Sequence, residues 1–506
     1  MIPSYIPCCP PRHITQALDG LVVAGIPIGN DAYVKGVLRK TEDTFKKDLD
    51  LLLCADTCSV RESGKKQGIF TLLNNVLLSR LTFLCRCLPP RHTRAMLGRL
   101  DAVIVAAIRT LLRVDWVWDG LILSRLHLPT RYGGMGFTCL AENSYAAFLG
   151  GFQLAVSIVN RLIPVTVTKV TAMEADDPAL PDSLREVNAA CAWLLTKEVT
   201  AIADHNHRSI WTKPLFKLQF TISDEVAAKE FLRVRDAYPS STLGLALRSD
   251  LISGADGGAA AWLLPHHGIG PLKFSDLEFT LVYLKRLGAP LMDPASFPAS
   301  GLLPCLTAGL DDKVDPYGTH FRGSCTRMIG LRTMRHTGIL FSMMGALRES
   351  KAASEVVKEP HLRDLYERIP TVTAAATADT RADILAKFSN NERVIVDVTV
   401  CSPTAGSIVA GHSFGYVITG KLKKYAKQFQ IPPRELNIFA IEHTGRLCLQ
   451  ARDFVKSVAT RAAANSSLPG DYTRTSLAFY QRVSVGVQRG NATMLAALVS
   501  SCAGLR

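Results

Sequence analysis

The 506-residue chain contains no uninterrupted apolar run of about 18–20 residues, the length a membrane-crossing helix needs, so no membrane span is expected. Its first residues lack a basic start and hold several prolines, so no secretory signal is expected. The thirteen cysteines are scattered, with pairs such as Cys8-Cys9 and Cys85/Cys87 that do not form a secreted disulfide framework. Reduced thiols in a nuclear or cytoplasmic setting are expected, and secretion is not. Internal repeats and low-complexity runs are absent. Acidic charge is in short supply: 44 Asp and Glu stand against 58 Lys and Arg, for a net charge of +14 and a pI near 9.2. That balance suits a polyanionic partner, DNA or RNA, without choosing between them. With 48% hydrophobic residues the chain can build real cores.

The densest chemical signal lies in residues 377–403, T-A-D-T-R-A-D-I-L-A-K-F-S-N-N-E-R-V-I-V-D-V-T-V-C-S-P. Asp383 heads a short apolar run, and Asp397 sits inside a second run, Val394 to Val400. Ser389-Asn390-Asn391-Glu392 between them reads as the turn of a hairpin. Alternation places Ile395, Asp397 and Thr399 on one face and Val394, Val396, Val398 and Val400 on the core face. A carboxylate among valines is costly to bury unless it is paired or binds a metal. Two such acids on neighbouring strands can share a divalent cation, Mg²⁺ being the natural one. Lys421, Lys423, Lys424 and Tyr425 follow on a helix-like stretch, with Lys421 and Tyr425 one turn apart on one face. Two acids and a lysine are what metal-assisted phosphodiester hydrolysis requires. The competing reading is an Asp on a solvated sheet face and a lysine-rich helix face in water.

The order of these parts resembles the restriction-like endonuclease domain at the C-terminus of non-long-terminal-repeat retrotransposon polyproteins, members of the PD-(D/E)XK superfamily. Those domains carry an Arg/Lys-Pro-Asp step, a strand V-x-D-V-T-V, and a displaced lysine on a helix ending in Lys-Tyr. Here Arg381-Ala382-Asp383 matches the first step, with alanine for proline. Val394 to Val400 matches the second, and Thr399 stands where the parent motif has its lysine. The resemblance implies catalytic roles for Asp383, Asp397, Lys421, Tyr425 and Glu442, the last in Phe439 to Arg446. It also aligns Arg335-His336 with the family's Arg-His pair, implying nucleic-acid contact, and Glu359-Pro360 with its Glu-Pro step.

Just upstream, Asp315 to Cys325 resembles the second half of the zinc knuckle that precedes this endonuclease. His320 and Cys325 have ligand spacing, and Cys305 is the one cysteine nearby. A weak Zn²⁺ site of Cys305, His320 and Cys325, completed by water, Asp311, Asp312 or Asp315, stands against a metal-free loop. Farther upstream, Gly25 to Gly29 resembles the G-x-P-I-G segment beyond the reverse-transcriptase active site. Leu126 to Phe137 resembles the signature after the thumb. Ala260 to Pro265 and Phe279 to Leu291 resemble the connector. In Gln67 to Leu88, Leu72, Leu73, Val76, Leu77, Leu81 and Leu84 recur at helical spacing. Arg80, Arg86, Arg91, Arg94 and Arg99, on and after that helix, are candidate phosphate contacts.

The paired aspartates of a polymerase hairpin, Tyr/Phe-x-Asp-Asp, do not occur. Asp176-Asp177 is an acidic turn, so this chain alone is not expected to polymerise. The expected architecture is a multidomain α plus α/β protein: an irregular 1–20, a helical thumb-like unit 21–150, a helical connector 151–300, and a knuckle-like 301–331. A small PD-(D/E)XK-like α/β nuclease domain 332–450, ordered helix, strand, strand, helix, strand, and a helical tail 451–506 complete it. Two functions compete: a Mg²⁺-dependent endonuclease nicking target DNA to prime reverse transcription, and a non-catalytic nucleic-acid-binding relic. Oligomeric state is not legible.

Overall fold

The computed structural model describes residues 19–57, 64–212, 217–264, 270–298, 301–304, 313–319, 328–370, 372–373, 379–389, 391–403, 413–466 and 468–503. It is mostly helical with one four-stranded mixed sheet and two short hairpins. The chain forms two compact units that interleave along the sequence, cutting across the segments read from punctuation: residues 1–51, 76–106 and 139–225, and residues 52–75, 107–138 and 226–506.

In the first unit, Gly20–Val23 and Ile26–Gly29 pair antiparallel around Ala24-Gly25. Both turn residues have positive φ, 49° and 84°, which the second meets freely as glycine. The helix Asp31–Thr57 begins where the Asn30 side chain accepts the Tyr33 amide at 2.9 Å. It buries Val34, Leu38, Phe45 and Leu49. The helix Leu140–Leu162 has its first amides, Leu140 and Ala141, held by the Asp101 carboxylate at 2.9 and 3.0 Å. A negative group at a helix start is stabilising there.

Buried Glu42 binds Arg99 through two hydrogen bonds, 3.1 and 2.6 Å, and Lys46 at 2.8 Å. The Arg99 guanidinium, with Lys46 and against the effect of burial, holds the Glu42 carboxyl down at about 2. A folded-state value below the unfolded one contributes stability above the unfolded value, lost as pH falls from about 4.5 toward about 2. The shift alone corresponds to about 3 kcal/mol. Arg99 is 58% exposed, so screening reduces this to about 1–2 kcal/mol. Glu42→Gln is therefore expected to cost about 1–2 kcal/mol at pH 7 and almost nothing near pH 2, read from urea melts at the two pH values.

Among the described residues one helix, Lys65–Cys87, is long and apolar enough by length and composition to cross a membrane, where the sequence shows no uninterrupted apolar run. Its leucines Leu73, Leu77, Leu78, Leu81 and Leu84 are buried, the pattern of a core helix. Leu72 and Val76, expected on the same stripe, are each 47% exposed. The cause is a π-helical turn, Leu73–Leu77, whose extra residue per turn shifts the register.

The second unit carries the sheet. Its elements are α1 (Met328–Glu349), β1 (Ala353–Lys358), β2 (Ile384–Phe388), β3 (Arg393–Cys401), α2 (Ser413–Ala426), β4 (Leu436–Glu442), α3 (Leu449–Ala464) and α4 (Asp471–Ala503). The strands lie in the order β1-β2-β3-β4. The first three are antiparallel; β4 runs parallel to β3 and is reached through α2, as a parallel pair requires. Strand β1 was not expected. Its sequence, ASEVVK, is charged and half-exposed, as an edge strand tends to be.

One sheet face buries Ile384, Ala386, Phe388, Val394, Val396 and Val398 against Ile339 and Met343 of α1, Val455 and Val458 of α3, and Phe479 and Val483 of α4. The helices after residue 450, expected as a tail, are thus the layer beneath the sheet. The opposite face holds Leu385, Ile395 and Ile438 under Tyr425 and Phe429. Both faces are covered, so the strands read as nearly continuous apolar runs. Each fully buried Val, Ile or Phe contributes about 1.5–3 kcal/mol.

Helices α1 and α4 approach backbone to backbone at glycines. A Cβ on Gly490 would lie 2.2 Å from Arg335 Cγ and 2.8 Å from its Cα, and one on Gly486 would lie 2.5 Å from Ser342 Oγ. Gly490→Ala is expected to destabilise by about 1–3 kcal/mol through overpacking, measured as a lower thermal midpoint.

Candidate active site

Asp383 immediately precedes β2, whose first pair with β3 is Ile384↔Val396. Asp383 stands just outside the paired residues, near enough for its charge to act on the Asp397 carboxyl. The turn that brings Asp383 there is built from the Glu-Pro step. The Glu359 amide donates to the Asp383 carbonyl at 2.9 Å, and the Ala382 amide donates to the Pro360 carbonyl at 3.2 Å. A proline at position 382, as in the family motif, has no N–H for the second bond. The alanine therefore adds a hydrogen bond at this step.

Asp397 is 3% exposed. Its Oδ1 accepts the Tyr425 hydroxyl at 3.0 Å and lies 3.3 Å from Lys421 Nζ. Its Oδ2 lies 3.0 Å from the same ammonium, closing a buried ion pair. Lys421 and Tyr425 converge because residues four apart share a helix face. Burial pushes the Asp397 carboxyl up, the Lys421 ammonium pulls it back, and the Asp383 charge pushes it up again. Burial, then the Asp397 charge and hydrogen bond, push the Tyr425 phenol above its ordinary range, so it stays a donor.

Asp383 Oδ2 accepts the Val398 amide at 2.6 Å and lies 3.3 Å from His336 Nε2. The same imidazole nitrogen is 3.1 Å from the Val398 carbonyl. The Asp383 hydrogen bond raises the His336 pKa above its ordinary value, against the effect of burial. His336, expected from the resemblance as a nucleic-acid contact, is thus a neighbour of the acids. The sequence offered no sign of this, because nothing in it places α1 over the end of β2. Arg335, its sequence neighbour, instead donates from Nη1 to Asn491 Oδ1 at 2.9 Å.

Glu442 is not brought to this cluster. It opposes Cys401 in the parallel register, while Asp397 opposes Ile438, four positions or about 13 Å away along the strand. Fully buried, it accepts a hydrogen bond from Ser253 and lies 3.9 Å from Arg446. Ser253 also bonds Thr444. That network is structural packing at the far end of β4. Lys423 and Lys424 are exposed on α2.

The five candidate phosphate-binding arginines all have partners within the first unit. Arg80 pairs with Asp48 at 2.8 Å, Arg86 donates to Gln219 at 2.8 Å, and Arg91 lies 3.7 and 3.5 Å from Asp182 and Glu186. Arg94 sits over the Tyr145 and Trp193 rings, and Arg99 holds Glu42. Arg80, Arg91 and Arg99 remain between 44% and 61% exposed, so a polyanion can still compete for them.

Cys305, His320 and Cys325, with Asp311 and Asp312, lie outside the described residues. Asp315, offered as a completing ligand, instead accepts the Tyr317 and Thr319 amides at 2.8 and 3.0 Å. Among the described residues no group of three or more His, Cys, Asp or Glu side chains is arranged to hold a metal. An ion at the acid pair would therefore rest on Asp383 and Asp397, supplemented by backbone oxygen or water. Two oxygen-donor carboxylates whose charges act on one another suit a hard cation such as Mg²⁺, which keeps several waters. No protein-family model matches the chain, and no curated protein matches its sequence.

Proposed function

We propose that residues 328–503 form a Mg²⁺-dependent DNA endonuclease unit of the restriction-like kind, in a chain derived from a non-long-terminal-repeat retrotransposon polyprotein. The observation that carries this reading is the convergence of Lys421 and Tyr425 on buried Asp397, with Asp383 held across the strand pair by the Val398 amide. A structural acid on a solvated face needs none of these contacts.

Asp383 and Asp397 are the residues that would hold the ion. When bound, it supplies Lewis-acid polarisation of a phosphate and a more acidic water. The other groups act on the acids and on the substrate. Tyr425 fixes the Asp397 carboxylate through its hydroxyl. Lys421, one-third exposed on its side chain, reaches both the carboxylate and solvent, and so can orient water or steady charge on a phosphate. His336 bridges Asp383 and the Val398 carbonyl and keeps the end of β2 tied to β3.

The test is relaxation of supercoiled plasmid DNA by the purified chain. Open circles should form with Mg²⁺ and not with a chelator. Plasmid that stays supercoiled under both conditions, while being bound, moves the conclusion to the non-catalytic nucleic-acid-binding reading. The thumb-like and connector-like segments, on this proposal, bind nucleic acid without polymerising. Primer extension on an RNA template by this chain alone would refute that part.

A further inference from the structure

A cleft of about 350 Å³ opens between α1 and α4, lined in part by Arg335, Arg482 and Arg489. It is not the acid pair: neither Asp383 nor Asp397 lines it. We propose that this cleft seats successive phosphates of a DNA strand, with Arg335, Arg482 and Arg489 as its anion-binding side chains. The assignment of that strand as substrate rests on the endonuclease reading above; the anion binding does not.

The first support is an unbalanced charge. Arg335 Nε is buried without a hydrogen-bond partner, and no ion pair joins Arg335 to a carboxylate among the described residues. Burial, aided by neighbouring Arg332, brings the Arg335 guanidinium down to about 10, where it is still a cation at neutral pH. An uncompensated buried cation is costly, and an incoming phosphate offsets that cost. Among the described residues Arg482 meets one carboxylate, Glu349, and Arg489 meets none, being held by the Pro271 and Lys273 carbonyls and lying over the Phe274 ring.

The second support is spacing. Arg482 and Arg489 are seven residues apart on α4, about 10 Å along the helix axis. That reach exceeds one phosphate and suits a polymeric anion. Exposed Met334 and Phe341 border the cleft and offer apolar surface to bases. The third is position. Arg335 and His336 are consecutive on α1; one lines the cleft and the other contacts Asp383. A strand lying in the cleft therefore passes beside the helix turn that flanks the acids.

The experiment measures binding of the full chain to a fluorescent DNA duplex across a salt series, without Mg²⁺, so that no cleavage is needed. Arg482→Gln combined with Arg489→Gln should weaken binding about tenfold and lower the salt slope by about 1 per arginine. Glu349→Gln, which frees Arg482 from its carboxylate, should tighten binding a few-fold. Unchanged affinity and slope in the double variant would overturn the proposal. So would a Glu349→Gln protein that binds no more tightly, because Arg482 would then be a structural residue. Inorganic phosphate or a mononucleotide that competes as well as an oligonucleotide would overturn the strand assignment. Loss of binding in the double variant, alongside a wild-type chain that never nicks, upholds the cleft and removes only the endonuclease reading.

Discussion

Asp397→Asn should abolish Mg²⁺-dependent nicking, by about 10³-fold or more, while leaving the fold and duplex affinity in place. Loss of one preorganised electrostatic group in a catalytic constellation costs about 10²–10³, and here the same change also removes a proposed metal ligand. The amide keeps the shape of the carboxylate and can still accept the Tyr425 hydroxyl that now reaches Oδ1 at 3.0 Å. Stability should shift by no more than about 1 kcal/mol, because the lost Lys421 pair is offset by relief of a buried charge. Affinity for DNA should hold or rise slightly, since a negative charge is removed and phosphate contacts lie elsewhere. The measurement is a plasmid-nicking time course beside a salt-dependent gel shift on one preparation. Nicking that persists in the variant removes Asp397 from the mechanism.

Lys421→Met should lower the nicking rate by about 10²-fold, with DNA affinity changed far less. Methionine preserves much of the apolar stem carried by α2 and removes the ammonium 3.0 Å from Asp397 Oδ2. Burial and the Asp383 charge, which push the Asp397 carboxyl upward, are then opposed by the Tyr425 hydrogen bond without the Lys421 ammonium. A reaction that needs the ionised carboxylate should therefore show its acid limb moved to higher pH, with partial recovery of rate as pH rises. A rate loss of the same size at every pH would mean that Lys421 acts only on the substrate side. An unchanged rate would exclude it from the site.

The strand hairpin and its alternation were legible because both strands carry period-two patterns around a turn rich in Ser and Asn. The partition of valines to one face and Ile395 with Asp397 to the other follows from that period alone. Lys421 and Tyr425 were legible as a pair because helical spacing joins them. What the sequence could not show is what packs across the sheet. Residue patterns do not say that α4 lies beneath β2 and β3, so Phe479 and Val483 read as tail residues. Nor do they say that α1 crosses the end of β2, which is what turns His336 toward Asp383. Strand β1 was hidden because an edge strand with Glu and Lys lacks the apolar run that marks a central one. Glu442 shared a motif with the acids but stands four strand positions away, a distance invisible without the parallel register. The arginines of the first unit read as a phosphate-binding row, yet their acidic and aromatic partners come from segments far along the chain.

The central claim is that Asp383 and Asp397 together hold one divalent cation. Its most direct test is Mn²⁺ titration of the full chain followed by electron paramagnetic resonance, comparing wild type with Asp383→Asn and Asp397→Asn. One class of tightly bound Mn²⁺, displaced by Mg²⁺ and lost in both variants, is the predicted result. Wild-type protein that leaves all Mn²⁺ free, or a bound class that survives both substitutions, would contradict the claim.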